Sequence, residues 1–236
     1  MDILKNTAGN ILSYNGTPLG TTWGVAPTPG IPTDYIAFWQ CDGDWTDETG
    51  NWNMSGVNSP TFGAGLFSKQ AGEFLRSSNQ YAATASHMDT YFAGGDSYTV
   101  SVWMKSRTIG TRNYWIGAAD GTGNPWTLGA EGAGNNMYGW AGVTLNPSEN
   151  PYDGAWHNFT LRVDSAGGST PGADLWMDGL QVLTPLERVG TIYTKGQTVK
   201  LGAGGGVSSW DGWLQYCRIY DYALTDENIV AIAAET

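Results

Sequence analysis

The chain has 236 residues, with 22 Asp and Glu against 11 Lys and Arg, a formal charge of −11 and only 14% charged residues. Phosphate backbones need a cationic footprint that this balance does not supply, which argues against a nucleic-acid partner. No run of eighteen or more apolar residues occurs, so no membrane-spanning helix is predicted. The 34 Gly, 10 Pro, 12 Trp and 12 Tyr punctuate many short β-branched and aromatic runs. That pattern predicts one main all-β sandwich, large enough to bury a core without disulfides or metals.

Residues 1–34 come first and differ in kind from the rest. They are rich in Gly, Thr, Pro and Asn, and PTPGIP from Pro27 to Pro32 reads as a stiff extended linker. Ile3, Leu4, Ile11, Leu12 and Tyr14 are apolar with no domain of their own to bury them. They predict an assembly arm that docks on a second copy or another protein; packing onto its own sandwich is the alternative. The opening residues lack a charged n-region followed by an apolar h-region, so no secretory signal is expected there.

The main domain is expected over 35–236. Ala37-Phe38-Trp39 reads as its first strand, and Asp47-Glu48-Thr49-Gly50-Asn51 as a turn. In SYTVSVWM, 97–104, Tyr98, Val100, Val102 and Met104 fall on one face and Thr99, Ser101 and Trp103 on the other. Near the end, Leu214, Tyr216, Arg218 and Tyr220 alternate with Gln215, Cys217 and Ile219. Thr225 then caps a helix with Asp226 and Glu227 at the favourable end of its dipole and Ile229, Ile232 and Ala233 as its apolar stripe.

These segments, with Ala155 to Thr160 and Asp174 to Leu180 as a central hairpin, resemble in order the laminin-G-like, concanavalin A-type domains. The closing Arg-Ile-Tyr strand, Ala-Leu-Thr and acidic helix carry the likeness furthest. The resemblance implies an antiparallel jelly-roll β-sandwich with a short C-terminal helix, behind an extended N-terminal arm. It fixes little about function, since this sandwich hosts lectins, hydrolases, adhesion modules and virion proteins. It implies core positions for Trp39, Trp103, Trp156 and Trp176. Cys41 and Cys217 stand where the family carries core hydrophobes on neighbouring strands, and read either as a disulfide or as two buried thiols. Relatives hold a structural calcium through an acidic first-strand residue and a last-strand Asp. Here Asp42 fits the first position and Gln215 stands at the second, with Asp47, Glu48 or Asp96 as further oxygen donors; solvated turn carboxylates are the alternative.

Retaining glycosidases need two carboxylates about 5 Å apart, normally on alternate residues of one strand. Asp42 and Asp44 come closest and sit in a turn. His157 reads as a capped, partly buried imidazole, and His87 has no nucleophile context, so no catalysis is expected. Ligand contact is expected from aromatic and amide residues in Gly/Asn-rich loops: Trp126, Asn135, Asn136, Tyr138 and Trp140 in one stretch and Trp210 in another. Subunit contact is the competing role for them. The combined expectation is a non-catalytic phage virion surface component, a capsid decoration, head-fibre or tail protein. Its arm would join capsid or tail proteins or a second copy, and its sandwich would face cell-surface glycans. A secreted carbohydrate-binding module of a larger glycoside-active enzyme is the alternative.

Overall fold

The computed structural model describes residues 3–5, 11–14, 17–18, 30–88, 97–107, 113–118, 126–131, 136–141, 144–145, 147–165, 172–187, 198–204, 207–208 and 210–235. The chain divides into two compact units, Met1–Gly30 and Ile31–Thr236. In the first, β1 (Ile3–Lys5), β2 (Ile11–Tyr14) and β3 (Thr17–Pro18) form an antiparallel sheet with Ile3 opposite Tyr14. The segment read as an extended arm therefore carries a sheet of its own. All five apolar residues singled out above lie on β1 and β2.

The second unit begins ahead of the boundary expected at Tyr35. Tyr220 donates its hydroxyl to the Pro32 carbonyl (3.1 Å) and Tyr222 donates to Asp34 (2.7 Å). In chain order it contains β4 (Ala37–Trp39), β5 (Met54–Val57), β6 (Thr61–Ala64), β7 (Gln70–Phe74), β8 (Tyr81–Thr84), β9 (Tyr98–Ser106) and β10 (Asn113–Ala118). There follow β11 (Trp126–Glu131), β12 (Asn136–Trp140), β13 (Thr144–Leu145), β14 (Trp156–Asp164), β15 (Gly172–Met177) and β16 (Leu180–Glu187). The last are β17 (Val199–Leu201), β18 (Ala203–Gly204), β19 (Val207–Ser208), β20 (Gly212–Tyr220) and the helix α1 (Asp226–Ala233).

Two antiparallel sheets face each other. One has the order β13-β12-β11-β10-β17-β8-β5; the other runs β16-β15-β14-β9-β20-β7-β6, with β4 also paired to β20. Strict alternation builds the core. Tyr98, Val100, Val102 and Met104 of β9 and Phe159, Leu161 and Val163 of β14 meet Ile116, Leu128 and Leu201 of the opposite sheet, all essentially fully buried. Each such side chain contributes about 1.5–3 kcal/mol of burial, which fixes the register of both sheets.

Strand β20 breaks the expected alternation. Its pairing with β9 slips between Gln215 and Arg218, and Tyr216 takes a left-handed φ of 49°. This bulge inserts one residue, so Leu214 joins Cys217 and Ile219 in the core instead of sharing a face with Tyr216 and Tyr220. Cys41 and Cys217 are both buried free thiols; burial pushes the Cys217 thiol up, and both pack as small hydrophobes. Of the four tryptophans expected in the core, Trp39 is there. Trp103 and Trp176 are buried as well, in separate hydrophobic clusters on the outer face of the eight-stranded sheet, and Trp156 is partly buried against the Trp103 cluster, because all three alternate with the sheet's inward residues.

Helix α1 covers one end of that outer face. The Thr225 hydroxyl accepts from the Asn228 amide, and Ile229 and Ile232 pack with Leu224 on Trp176 and Tyr220. The Asp47 turn anchors β4. Its buried carboxylate accepts from the amides of Phe38 (2.7 Å), Trp52 (3.0 Å) and Asn51 (3.2 Å) and from the Thr49 hydroxyl. Replacing it strands several buried donors at once. Asp47→Ala is expected to cost about 3 kcal/mol, read as a lower urea midpoint at unchanged slope; a loss under about 1 kcal/mol would contradict this role.

Candidate functional site

Beyond the reach of α1, the outer face of β14, β9 and β20 carries a compact group of aromatic and polar side chains. Trp156, Lys105 and Trp213 are direct register partners across the three strands, and all three are partly exposed. Strand spacing sets the two indoles about 10 Å apart. The next row is Asn158, Trp103 and Gln215, and the one after it Thr160, Ser101 and Arg218. Trp103 clusters with Phe38 and Tyr216, and Trp156 and Leu66 pack against that cluster.

Trp213 is held from two directions. The Arg107 guanidinium lies 4.4 Å from its ring centroid, while a Cβ at Gly63 would fall 2.5 Å from its Nε1. Only glycine lets the indole lie where it does. Arg107 is itself fixed by Asp211 (2.7 Å) and by Glu73. In the second row, the Gln215 side-chain carbonyl accepts from the Leu66 amide (2.8 Å). Its Nε2 and the neighbouring Trp103 Nε1 have no hydrogen-bond partner. Ser101, Asn158 and Thr160 instead satisfy one another at 3.1 Å. Both donors are buried, so they lie beneath the row of Trp156, Lys105 and Trp213 and leave that row as the accessible part of the face.

The residues expected to bind ligand are dispersed. Trp126 and Trp210 are fully buried, which removes both from any stacking role. Trp126 pairs with Ala118 and shares its inward face, and Trp210 lies edge-on to Trp115 at 6.2 Å within the core. Asn136, Tyr138 and Trp140 lie on β12, opposite Glu131, Gly129 and Thr127, the residues that alternate with the core members of β11. Asn135 lies outside the described residues. Lys105 and Trp213 were not anticipated. The signal for Trp213 was its place next to Leu214, which forces it outward once Leu214 is in the core.

Asp42 and Gln215 do converge, but on a loop. Asp42 accepts from the Gln70 amide (2.7 Å) and pairs with Lys69 (2.9 Å), while Gln215 holds Leu66, so both pin the turn between β6 and β7. The Asp47 carboxylate is committed to its turn, and Glu48 accepts from Gln40 (2.9 Å). Asp96 is outside the described residues. No cluster of three His, Cys, Asp or Glu side chains suited to a metal exists among the described residues. Among the described residues the expected calcium donors are thus engaged by protein groups, with Lys69 supplying the positive charge beside Asp42.

Residues 76–230, well over half of the chain, match the family model of the concanavalin A-like lectin/glucanases superfamily. The chain belongs to that superfamily. Several solved structures share the superfamily fold. Domain 4 of an extracellular GH43 arabinanase from Geobacillus stearothermophilus, solved with arabinotriose, aligns with TM-score 0.67 and 16% identity over 85% of this chain and 98% of that domain. Botulinum neurotoxin type C, whose cell entry depends on two ganglioside molecules, aligns with TM-score 0.66 and 12% identity over 85% of this chain and 51% of its own. The binding domain of botulinum neurotoxin DC, in complex with rat synaptotagmin II, gives 0.64 and 11% over 87% and 52%. The chain thus spans about half the length of the toxin chains, and at these identities the likeness is one of fold. No curated protein matches the sequence significantly.

In this superfamily member the Trp-His strand start is an ionic clasp. His157 contacts Asp178 through Nδ1 (2.7 Å) and Asp153 through Nε2 (3.0 Å), so neither ring nitrogen is left to act as a base. The Asp178 hydrogen bond, helped by Asp153 and opposed by burial, raises the imidazole above its ordinary pKa. A raised folded-state pKa gives stability that is complete below about pH 6.5 and is lost as pH rises through the folded value. An NMR titration should place the His157 midpoint above 6.5, and Asp178→Asn should lower it; an unchanged midpoint in the variant would contradict the clasp.

Proposed function

We propose that this chain is a non-catalytic glycan-binding module that contacts sugar through Trp156, Lys105 and Trp213. One observation carries the reading. Two partly exposed indoles stand on one register row, with the N–H donors of the partly exposed Lys105 ammonium between them. Apolar sugar faces stack on indoles, and hydroxyls accept from such donors on a rigid scaffold. The arabinotriose bound by the arabinanase domain and the gangliosides used by the toxin support a glycan ligand, and the synaptotagmin II complex of the neurotoxin DC binding domain makes a protein ligand the other reading.

The charge arrangement supports binding without hydrolysis. Near the face, Glu73 and Asp211 are shared by Arg107, and Asp153 and Asp178 by His157. A glycosidase needs one carboxyl group free to protonate and another free to attack or activate water. The Met1–Gly30 unit would join copies to one another or to a carrier, so that weak sites act together through avidity. On that reading the module works outside the cell. Display on a virion through capsid or tail proteins is the placement its apolar β1 and β2 residues support best, and a secreted glycoside-active enzyme is the other carrier.

A glycan array tests the site. Trp156→Ala and Trp213→Ala should each weaken the best ligand at least about tenfold, as loss of a central aromatic anchor does, with the circular dichroism spectrum unchanged. Trp140→Ala should leave binding intact. The opposite pattern would move the site to β12.

A further inference from the structure

We infer that the sugar recognised at this face carries a carboxylate, and that Lys105 is the residue that selects for it. The inference rests on the glycan-binding reading and narrows it to uronic or sialic acid-type ligands. Cations are scarce in this chain, and the structure commits them. Lys69 pairs with Asp42, Arg107 with Glu73 and Asp211, Arg162 with Asp174 and Asp226, and Arg218 with Glu235. Lys105, by contrast, has no carboxylate partner among the described residues. It stands between the two indoles of its row, with its ammonium 5.9 Å from the Trp213 ring centroid.

The row has a direction. Reading across the sheet it runs Trp156, Lys105, Trp213, Glu73, Thr61, so the negative Glu73 lies beyond Trp213, two strands from Lys105. A sugar ring stacked on either indole with its carboxylate turned to Lys105 gains a charge-assisted hydrogen bond. The same ring turned the other way brings its carboxylate toward Glu73 and Asp211. The net charge of −11 opposes any anion at long range, but salt near 0.15 M screens that beyond about 8 Å while sparing the contact pair.

The probes are a galacturonic acid tetrasaccharide and its fully methyl-esterified form, and 3′-sialyllactose and lactose, titrated at 0.15 M salt by calorimetry. At least one acidic member should bind about tenfold more tightly than its neutral counterpart, the usual scale of one hydrogen bond to a charged group. Lys105→Met keeps the aliphatic stem and should erase that difference, while Lys105→Arg should restore most of it. Trp213→Ala should weaken acidic and neutral ligands alike. Equal binding of acidic and neutral members by the wild-type chain, still sensitive to Trp213→Ala, would overturn the carboxylate preference and leave the glycan reading standing. Absence of binding to all four would overturn both.

Discussion

Strand β20 has to satisfy β9 along one edge and both β4 and β7 along the other, and no straight strand can do so with this sequence. The bulge at Tyr216 resolves the conflict. Before it, Gly212 to Leu214 run beside β7, and after it, Cys217 to Ile219 run beside β4. The extra residue lets Leu214, Cys217 and Ile219 all reach the core while Gln215 stays outside next to Trp103. The same device that closes the sandwich thus places the buried amide beneath the candidate site. An edit that removed the bulge would flip one half of β20 and take the site with it.

Around this strand, three basic residues of a strongly acidic chain each bridge two carboxylates from separate elements. Arg107 joins Glu73 of β7 to Asp211 ahead of β20, and Arg162 of β14 joins Asp174 of β15 to Asp226 at the start of α1. His157 joins Asp153 to the Asp178 turn between β15 and β16. Asp174 is almost fully buried, so its pairing with Arg162 also removes an uncompensated charge from the protein interior. These clasps tie loop ends to strands. They leave a stiff face on which exposed aromatic rings keep a fixed spacing.

The fold was largely legible in the chain because period-two burial is a local signal. The β9 alternation, the Thr225 cap and the Asp47 turn each behave as their residues dictate. The site was not legible for the converse reason. Trp126 and Trp210 sit in Gly-rich stretches that resemble loops, yet both are core residues. Trp103 and Trp156 match positions read as core, yet the side of the sheet they occupy depends on register with β14 and β20. A bulge is one residue with an unusual φ, and nothing in Gln215-Tyr216-Cys217 announces it. Asp42 and Gln215 each engage the turn between β6 and β7, and the Lys69 and Leu66 groups that occupy them come from a loop distant in sequence.

The central claim is that ligand meets the outer face of β14, β9 and β20. Its most direct test follows the indole N–H signals of the tryptophans by NMR while the strongest array ligand is added. The account predicts movement at Trp103, Trp156 and Trp213, with Trp126 and Trp210 silent. Shifts confined to Trp140, or none at any indole while calorimetry still reports binding, would contradict it.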